Sequence, residues 1–139
     1  MIVIDTSVWI DYFAGRSDRV HVAALVDLVE RDAVIALTDV ILTEILQGLG
    51  DERSVRTVEA RFEPFEVRRL EALDDFRAAA ALYRNARRRG RTIRKTLDCL
   101  IAAVCIREGA AILHNDRDFD QLSEVSDLQV YPVGESTIG

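Results

Sequence analysis

The sequence predicts an α/β fold, an α/β/α sandwich around a central, mostly parallel sheet of about four to five strands. Short β-branched runs alternate with longer stretches whose apolar residues recur at helical spacing. Strands separated by helices of this length imply a mostly parallel sheet that is covered on both faces. The chain has two prolines and no Gly/Ser-rich linker, which indicates a single domain over residues 1–139.

The predicted strands are short and largely apolar. Ile2–Ile4 is a β-branched run typical of a buried strand, and Val34–Leu37 and Ala110–Leu113 have the same character. Two further runs, Phe65–Val67 and Leu128–Tyr131, complete the predicted sheet. Sheets of this class bind ligands at the carboxyl ends of their strands, so the residues that follow each strand are the first candidates for a site.

The stretches between the strands are predicted to be helical. Thr6 or Ser7, Thr38 and Thr96 are residue types that cap helix N-termini, and Gly109 is the type that ends a helix in the left-handed conformation. The predicted helices cover residues 7–13, 20–31, 39–49, 51–62, 72–89, 97–108 and 118–125.

Apolar periodicity predicts which helix faces are buried. The second helix has its apolar stripe at residues 22, 25, 26 and 29, and the fifth has Phe76, Ala79, Ala80, Tyr83 and Ala86 on one side. The sixth is apolar nearly all round and is therefore expected at the centre of the fold. Its Cys99 and Cys105 would lie about 9 Å apart, beyond disulfide reach. We interpret both as core residues, with a reactive thiol as the alternative.

The composition is that of a globular protein, with 49% hydrophobic and 30% charged residues. No apolar run approaches the roughly 18 residues that a membrane span needs. The opening stretch has acids within its apolar part and lacks a basic region, so it does not resemble a signal peptide. We therefore expect a cytoplasmic protein without a membrane partner.

Charge is distributed unevenly along the chain. The net charge of −6 by itself disfavours binding to nucleic acid. Residues 84–95, however, hold seven of the 18 basic residues and no acid, which leaves 11 basic against 24 acidic residues elsewhere. A solvated helix end that complements the helix dipole is one interpretation, and contact with a phosphate backbone is the other. The residues predicted to make that contact are Arg87, Arg88, Arg89, Arg91, Arg94 and Lys95.

Two aspartates follow predicted strands. Asp5 comes directly after Ile2–Ile4, and Asp116 lies shortly after Ala110–Leu113. Parallel strands present their carboxyl ends at one edge of the sheet, so both carboxylates are predicted to lie there. Each also has a purely structural interpretation, because aspartate is common in turns between strands and helices.

Two further acids occupy unusual helix positions. Glu44 lies on or beside the apolar stripe of its helix, where an unpaired carboxylate is costly unless it reaches a cation or water. Asp98 falls in the first turn of the most apolar helix. The helix dipole alone can account for an acid there, but the N-terminus of a central helix also tends to face a crevice.

Convergence of these four acids would require a cation. Three or four ionised carboxylates do not share a pocket unless a divalent ion neutralises them. Oxygen ligands without Cys or His partners favour Mg²⁺ or Mn²⁺ over zinc. Such ions polarise phosphodiesters and activate water, so the pattern predicts a metal-dependent nuclease.

Four segments carry a resemblance to a known family. In chain order they are MIVIDTSVWIDYF around Asp5, TDVILTEILQGL around Glu44, TLDCLIAAVCIREGAAILHND around Asp98 and HNDRDFDQL around Asp116. They resemble the motifs of PIN domains, over nearly the whole chain. Length and motif spacing are similar to those of VapC toxins from type II VapBC toxin–antitoxin systems.

The resemblance implies a PIN fold and a Mg²⁺- or Mn²⁺-dependent endoribonuclease that cleaves structured RNA, tRNA or rRNA. It implies that Asp5, Glu44, Asp98 and Asp116 form the catalytic, metal-binding quartet, with Asp5 and Asp98 the firmest ligands. The polar residues that it places around the site are Thr6, Ser7, Asn115 and Asp118. Asp118 also has an alternative interpretation as the N-cap of the last short helix.

The resemblance further implies a homodimer that is neutralised by a cognate VapB-type antitoxin. The antitoxin would lie in a groove near the first helices, although the residues concerned could equally be ordinary core residues. They are Trp9, Ile10, Phe13, Leu25 and Val29. The alternative function is a PIN-like module that binds RNA or protein without cleaving it. A receiver-like phospho-acceptor domain fits poorly, because it needs a late lysine and the sole lysine, Lys95, is in mid-sequence. An aspartyl phosphatase fits poorly, because Ser7 stands where a second acid would be needed.

Overall fold

The core of the protein is a sheet of parallel strands. The computed structural model describes residues 1–134, and within them the strands are β1 (Ile2–Ile4), β2 (Ile35–Thr38), β3 (Glu66–Arg68), β4 (Ala111–Leu113) and β5 (Gln129–Val130). Their order across the sheet is β3-β2-β1-β4-β5, and every neighbouring pair is parallel. The predicted α/β fold with a parallel sheet is confirmed. The predicted single domain of residues 1–139 ends in residues 135–139, which lie outside the described residues.

The chain reverses its direction across the sheet at β1. It passes from β1 to β2 and β3 on one side, and then crosses back to β4 and β5 on the other. Ile2 is in register with Ile35 of β2, and Ile4 is in register with Leu113 of β4. The point between β1 and β4 is thus a topological switch point, where the loops after two neighbouring strands diverge and leave a crevice.

Helices connect successive strands. Within residues 1–134 they are α1 (Thr6–Phe13), α2 (Val20–Glu30), α3 (Asp39–Gln47), α4 (Glu52–Phe62), α5 (Leu73–Arg88), α6 (Thr96–Glu108) and α7 (Arg117–Glu124). Helix α1 packs against α2 and α3, whereas α5, α6 and α7 pack against one another. With this strand order, right-handed crossovers put two such groups on opposite faces of a sheet. Two predicted caps are confirmed: the Thr38 hydroxyl accepts from the Ile41 amide, and Gly109 ends α6 at φ +64°.

Two predicted N-caps are wrong. The cap of α1 is Asp5 rather than Thr6 or Ser7, because the Asp5 carboxylate accepts from the amide of Ser7. Helix α6 begins at Thr96, and Lys95 is its cap residue without a side-chain capping bond. In both places a residue of the candidate site occupies the helix boundary.

Two apolar stripes were predicted only in part, with Val22 and Leu25 on α2 and Ala79 and Ala86 on α5 buried as expected. On α2 the buried residues are His21, Val22, Leu25 and Leu28, whereas Val29 is exposed. On α5 they are Asp75, Ala79, Leu82 and Ala86, whereas Phe76, Ala80 and Tyr83 are exposed. The buried acid on α5 explains this displacement, because the Asp75 carboxylate accepts from Nε of Arg107 at 2.9 Å. A paired acid takes a core position that a pattern of apolar residues does not predict.

Helix α6 is central, as its apolar sequence predicts. Cys99 and Cys105 on it are fully buried free thiols, which confirms their interpretation as core residues. Burial raises the pKa of Cys105 to about 12 and that of Cys99 to about 11, so neither is a reactive thiolate at neutral pH. None of the helices in residues 1–134 is both long and apolar enough to cross a membrane.

Candidate active site

The carboxyl end of β1 carries a buried aspartate. Asp5 is 4% exposed, and its Oδ2 accepts from the Ser7 hydroxyl at 2.8 Å and from the Ser7 amide at 3.3 Å. The amide of Asn115, after β4, donates in turn to the Ser7 hydroxyl at 3.1 Å. Burial raises the pKa of Asp5; the bonds from Ser7 oppose that rise, and the charge of Glu44 adds to it. The ends of the two central strands are therefore linked around one carboxylate.

Helix α3 contributes a second acid to this edge. Glu44 is half-buried, and its Oε1 accepts from the Thr6 hydroxyl at 2.9 Å. Thr6 is the first residue of α1, directly after Asp5. The bond therefore holds a carboxylate from the β2 side of the sheet beside the end of β1.

Asp98 is the most unusual acid of the site. It lies in the first turn of α6, is 2% exposed, and its Oδ2 is buried without a hydrogen-bond partner among residues 1–134. Burial and then the charges of Asp116 and Asp5 raise the pKa of Asp98 to about 8, against the opposing charge of Lys95. An ionised carboxylate in this position therefore needs a cation.

Three aspartates form a compact cluster, which we call the acidic cluster. One carboxylate oxygen from each of Asp98, Asp116 and Asp118 lies within 4.8 Å of the other two. Asp5 and Glu44 lie outside this set, although Asp5 is close enough to Asp98 for its charge to raise the pKa of that carboxyl. The structure thus brings the four predicted acids and Asp118 to one edge, with Asp98 in the middle.

The loop between β4 and α7 determines the positions of Asp116 and Asp118. Asp116 caps α7 by accepting from the amide of Asp118 at 3.0 Å, so the interpretation of Asp118 as the cap is wrong. Asp118 is 2% exposed, and its Oδ2 accepts from the amides of Arg94 and Lys95 at 3.0 and 3.3 Å. This residue therefore fixes the loop before α6 against α7.

Two cations face the acidic cluster. Lys95 Nζ lies 3.3 Å from Asp116 Oδ2, and Arg94 lies 3.5 Å from both Asp116 and Asp118. Burial lowers the pKa of Lys95, but the charges of Asp98, Asp116 and Glu44 outweigh it and raise that pKa. Burial by itself raises the pKa of Asp116. The hydrogen bond from the Asp118 amide and the Lys95 ammonium outweigh burial and hold that pKa below its usual value.

A family model and curated relatives match most of the chain. The PIN domain family model matches residues 2–125. The chain belongs to the PIN-domain family. Ribonuclease VapC11 of Mycobacterium tuberculosis is 43% identical over 129 residues, which cover 93% of this chain and 96% of that protein. The predicted membership of the VapC branch is confirmed.

Solved structures share the fold of this PIN domain. VapBC2 from Rickettsia felis, bound to a promoter DNA fragment, superposes with a TM-score of 0.74 at 18% identity over 94% of this chain and 98% of that one. VapC20 of Mycobacterium tuberculosis, a toxin that cleaves the sarcin–ricin loop, gives a TM-score of 0.64 at 19% identity over 95% of this chain and 100% of that one.

The basic segment, residues 84–95, has some basic side chains with protein partners and others without an ion pair among the described residues. Arg91 binds Gln121 and Glu124 of α7, and Arg94 and Lys95 bind the acidic cluster. Within residues 1–134, Arg87, Arg88 and Arg89 make no ion pair and are exposed. The predicted phosphate contacts therefore include three cations that already have protein partners.

A polar cleft of about 570 Å³ lies beside Asp118. Four arginines line it, and one of them, Arg117 in the first turn of α7, was missed by the sequence analysis. A cation at a helix N-terminus opposes the helix dipole, and this feature was available from the sequence alone. The arginines of the cleft are Arg89, Arg91, Arg94 and Arg117.

His114 is a second residue that the sequence analysis missed. Its Nδ1 accepts from the amide of Asp116 at 3.0 Å, and its Nε2 lies 3.2 Å from the Asp120 carboxylate. The ring therefore supports the turn that presents Asp116. No spacing pattern in the sequence indicates such a contact.

The residues predicted to line an antitoxin groove have diverse environments. Trp9 and Leu25 are fully buried, which favours the core interpretation for these two. Ile10 and Val29 are 53% and 39% exposed, and Phe13 is half-buried against the ring of Trp9. Only part of the predicted set is thus available to a partner.

The donor set of the PIN domain fits a divalent cation. Three carboxylates lie within 4.8 Å of one another, and one of them has a buried oxygen without a hydrogen bond among the described residues. Hard oxygen donors of this kind are the ligands that Mg²⁺ and Mn²⁺ prefer. The acidic cluster is therefore chemically suited to a metal ion.

Proposed function

We propose that this VapC homologue is the toxin of a type II toxin–antitoxin system, a Mg²⁺-dependent endoribonuclease that also works with Mn²⁺. The observation that carries the proposal is the buried, unpaired oxygen of Asp98 within the acidic cluster. The 43% identity with ribonuclease VapC11 supports ribonuclease chemistry. Structured RNA, tRNA or rRNA, is the proposed substrate.

The metal ligands in this proposal are Asp98, Asp116 and Asp5, with Glu44 completing the set. A divalent ion held by these carboxylates would supply a water of lowered pKa and would polarise the scissile phosphodiester. The Ser7 hydroxyl holds the Asp5 carboxylate in place, at 2.8 Å. Asp118 adds negative charge and positions the loop that carries Lys95.

The chain's own residues also orient the substrate. The Thr6 hydroxyl donates to the Glu44 carboxylate, and the Asn115 amide donates to the Ser7 hydroxyl. These bonds organise the site before RNA arrives. The arginine-lined cleft beside Asp118 offers bidentate donors to phosphates next to the scissile one.

The test is cleavage of total tRNA and of rRNA with Mg²⁺, with Mn²⁺ and with EDTA. We expect defined fragments with either metal and none in EDTA, because the carboxylates by themselves repel a phosphodiester. Mapping the fragment ends identifies the substrate. Cleavage that persists in EDTA would contradict the metal site, and binding of RNA without cleavage in any metal would favour a non-cleaving module.

The exposed arginines at the end of α5 provide a second test. The triple substitution Arg87→Gln, Arg88→Gln, Arg89→Gln is expected to weaken RNA binding. It is also expected to make the negative slope of log affinity against log salt shallower by about 2. Fluorescence anisotropy in EDTA measures both without cleavage. Arg53→Gln, Arg56→Gln, Arg77→Gln is the charge-matched control, with exposed residues elsewhere. Equal slopes for the two variants would exclude this surface.

The proposed partners follow from the relatives. The R. felis relative was solved as VapBC2, and a further structural neighbour is described as a member of the VapBC family of toxin–antitoxin systems. We propose a VapB-type antitoxin for this chain, a homodimeric state, and a cytoplasmic site of action, where tRNA and rRNA are found. Sedimentation of the protein alone and co-expressed with the product of the neighbouring gene tests the first two.

A further inference from the structure

The loop between α5 and α6 carries two cations to the mouth of the acidic cluster. Lys95 Nζ lies 3.3 Å from Asp116 Oδ2, and the Arg94 guanidinium lies 3.5 Å from both Asp116 and Asp118. The cation side chains are 52% and 58% exposed, whereas those of Asp116 and Asp118 are 11% and 3% exposed. The positive groups thus cover carboxylates that lie beneath them.

The backbone of this loop is fixed, but the lysine side chain is not. The amides of Arg94 and Lys95 both donate to Asp118 Oδ2, which holds the two Cα atoms over the cluster. The Lys95 ammonium has a flexible four-carbon stem, and within residues 1–134 it has a single carboxylate contact, to Asp116. The ammonium can therefore leave its partner without any movement of the loop.

A divalent ion that bound Asp116 through Oδ2 would compete with the Lys95 ammonium for that oxygen. The positively charged Lys95 ammonium already lies at contact distance from Asp116 Oδ2. A metal ion bound by Asp98 and Asp116 would repel that charge, and the repulsion would lower the affinity for metal. The two cations are thus alternative neutralising groups for one carboxylate.

We propose that Lys95 is the resident counter-ion of the acidic cluster, displaced from Asp116 by the divalent ion and thereby freed to hold the substrate phosphodiester. This rests on the proposed metal-dependent function and assigns a positioning role to Lys95. In the absence of metal the ammonium neutralises the Asp116 carboxylate. After the exchange it lies at the exposed mouth, where an anionic substrate enters.

The test measures metal binding and RNA cleavage in the same variants. Calorimetry with Mn²⁺ alone, at fixed ionic strength, is expected to give about 5-fold tighter binding for Lys95→Met than for the natural protein. Lys95→Arg keeps the charge and is expected to stay within about 2-fold of the natural protein. In cleavage assays with saturating Mn²⁺, Lys95→Met is expected to raise KM for RNA about 5-fold, because one phosphate contact is lost.

The opposite signs of these two effects separate the proposal from a merely structural role. Arg77→Gln removes a positive charge that is paired with Asp74 on the far end of α5, and we expect it to change neither quantity. Lys95→Gln repeats the test with a polar side chain, and unchanged circular dichroism confirms folding. If the natural protein binds Mn²⁺ and Lys95→Met does not bind it more tightly, the inference about Lys95 is overturned and the proposed function is not. Absence of metal binding in every variant overturns the proposed function as well.

Discussion

Replacement of Asp98 by asparagine is expected to lower RNA cleavage by about three orders of magnitude and to stabilise the metal-free protein. The amide is nearly isosteric but is a poorer metal ligand, so the central position of the acidic cluster loses its charge. The same loss of charge removes the cost of burying a carboxylate whose pKa is about 8. We expect the free energy of unfolding in EDTA at pH 8 to increase by about 2 kcal/mol.

Nuclease assays and urea denaturation in EDTA measure these two effects. Asp127→Asn is the control, because that aspartate is exposed and lies on the loop after α7, outside the cluster. It should leave both activity and stability unchanged. An Asp98→Asn protein that cleaves RNA at the natural rate would exclude Asp98 from the site. One that is destabilised in EDTA would show instead that the carboxylate stabilises the metal-free fold.

Metal affinity is expected to rise by about tenfold per pH unit from pH 6 to pH 8 and to level off above pH 8. Below pH 8 the Asp98 carboxyl holds a proton that the metal must displace, since its pKa is about 8. Burial raises the pKa of Asp5 in the same direction. Asp116 does not contribute, because its pKa is held below the usual value and it is already ionised.

The same pKa has a consequence for stability without metal. The folded protein keeps a proton on Asp98 that the unfolded chain releases near pH 4, so the contribution of Asp98 to the unfolding free energy falls as the pH rises from 4 to 8 and then stays constant. The predicted pH dependence of metal affinity is tested by calorimetric titration of Mn²⁺ in two buffers of different ionisation enthalpy, which counts the protons released on metal binding. Release at pH 6.5 and its disappearance at pH 9 are expected. An affinity that does not change between pH 6 and pH 8 would contradict the assignment.

The acids at the strand ends were predictable because of simple geometry. Asp5 and Asp116 follow central strands, and parallel strands end at one edge. Glu44 and Asp98 were predictable because each is a charge in an apolar setting. The fold class followed from the alternation of strand and helix, and the family from four ordered segments.

Contacts between distant segments were not predictable. The burial of Asp118 depends on two amides more than twenty residues earlier in the chain, and the pairing of Lys95 with Asp116 spans a similar separation. Local patterns carry no information on such contacts, so Asp118 had the alternative interpretation as a cap and Lys95 was assigned to RNA alone. The face of α5 was predicted only in part for the same reason, because its buried Asp75 depends on Arg107 of another helix.

The position of β1 in the middle of the sheet has a consequence for the nascent chain. Ile4 pairs with Leu113, more than one hundred residues later, and the acidic cluster draws on Asp98, Asp116 and Asp118. Asp5 is the first of these carboxylates to be synthesised. Nearly the whole chain must follow before Asp98, Asp116 and Asp118 are present. Contacts of such long sequence separation form late and slowly. The acidic cluster therefore cannot form on the nascent chain before Asp118 has been synthesised.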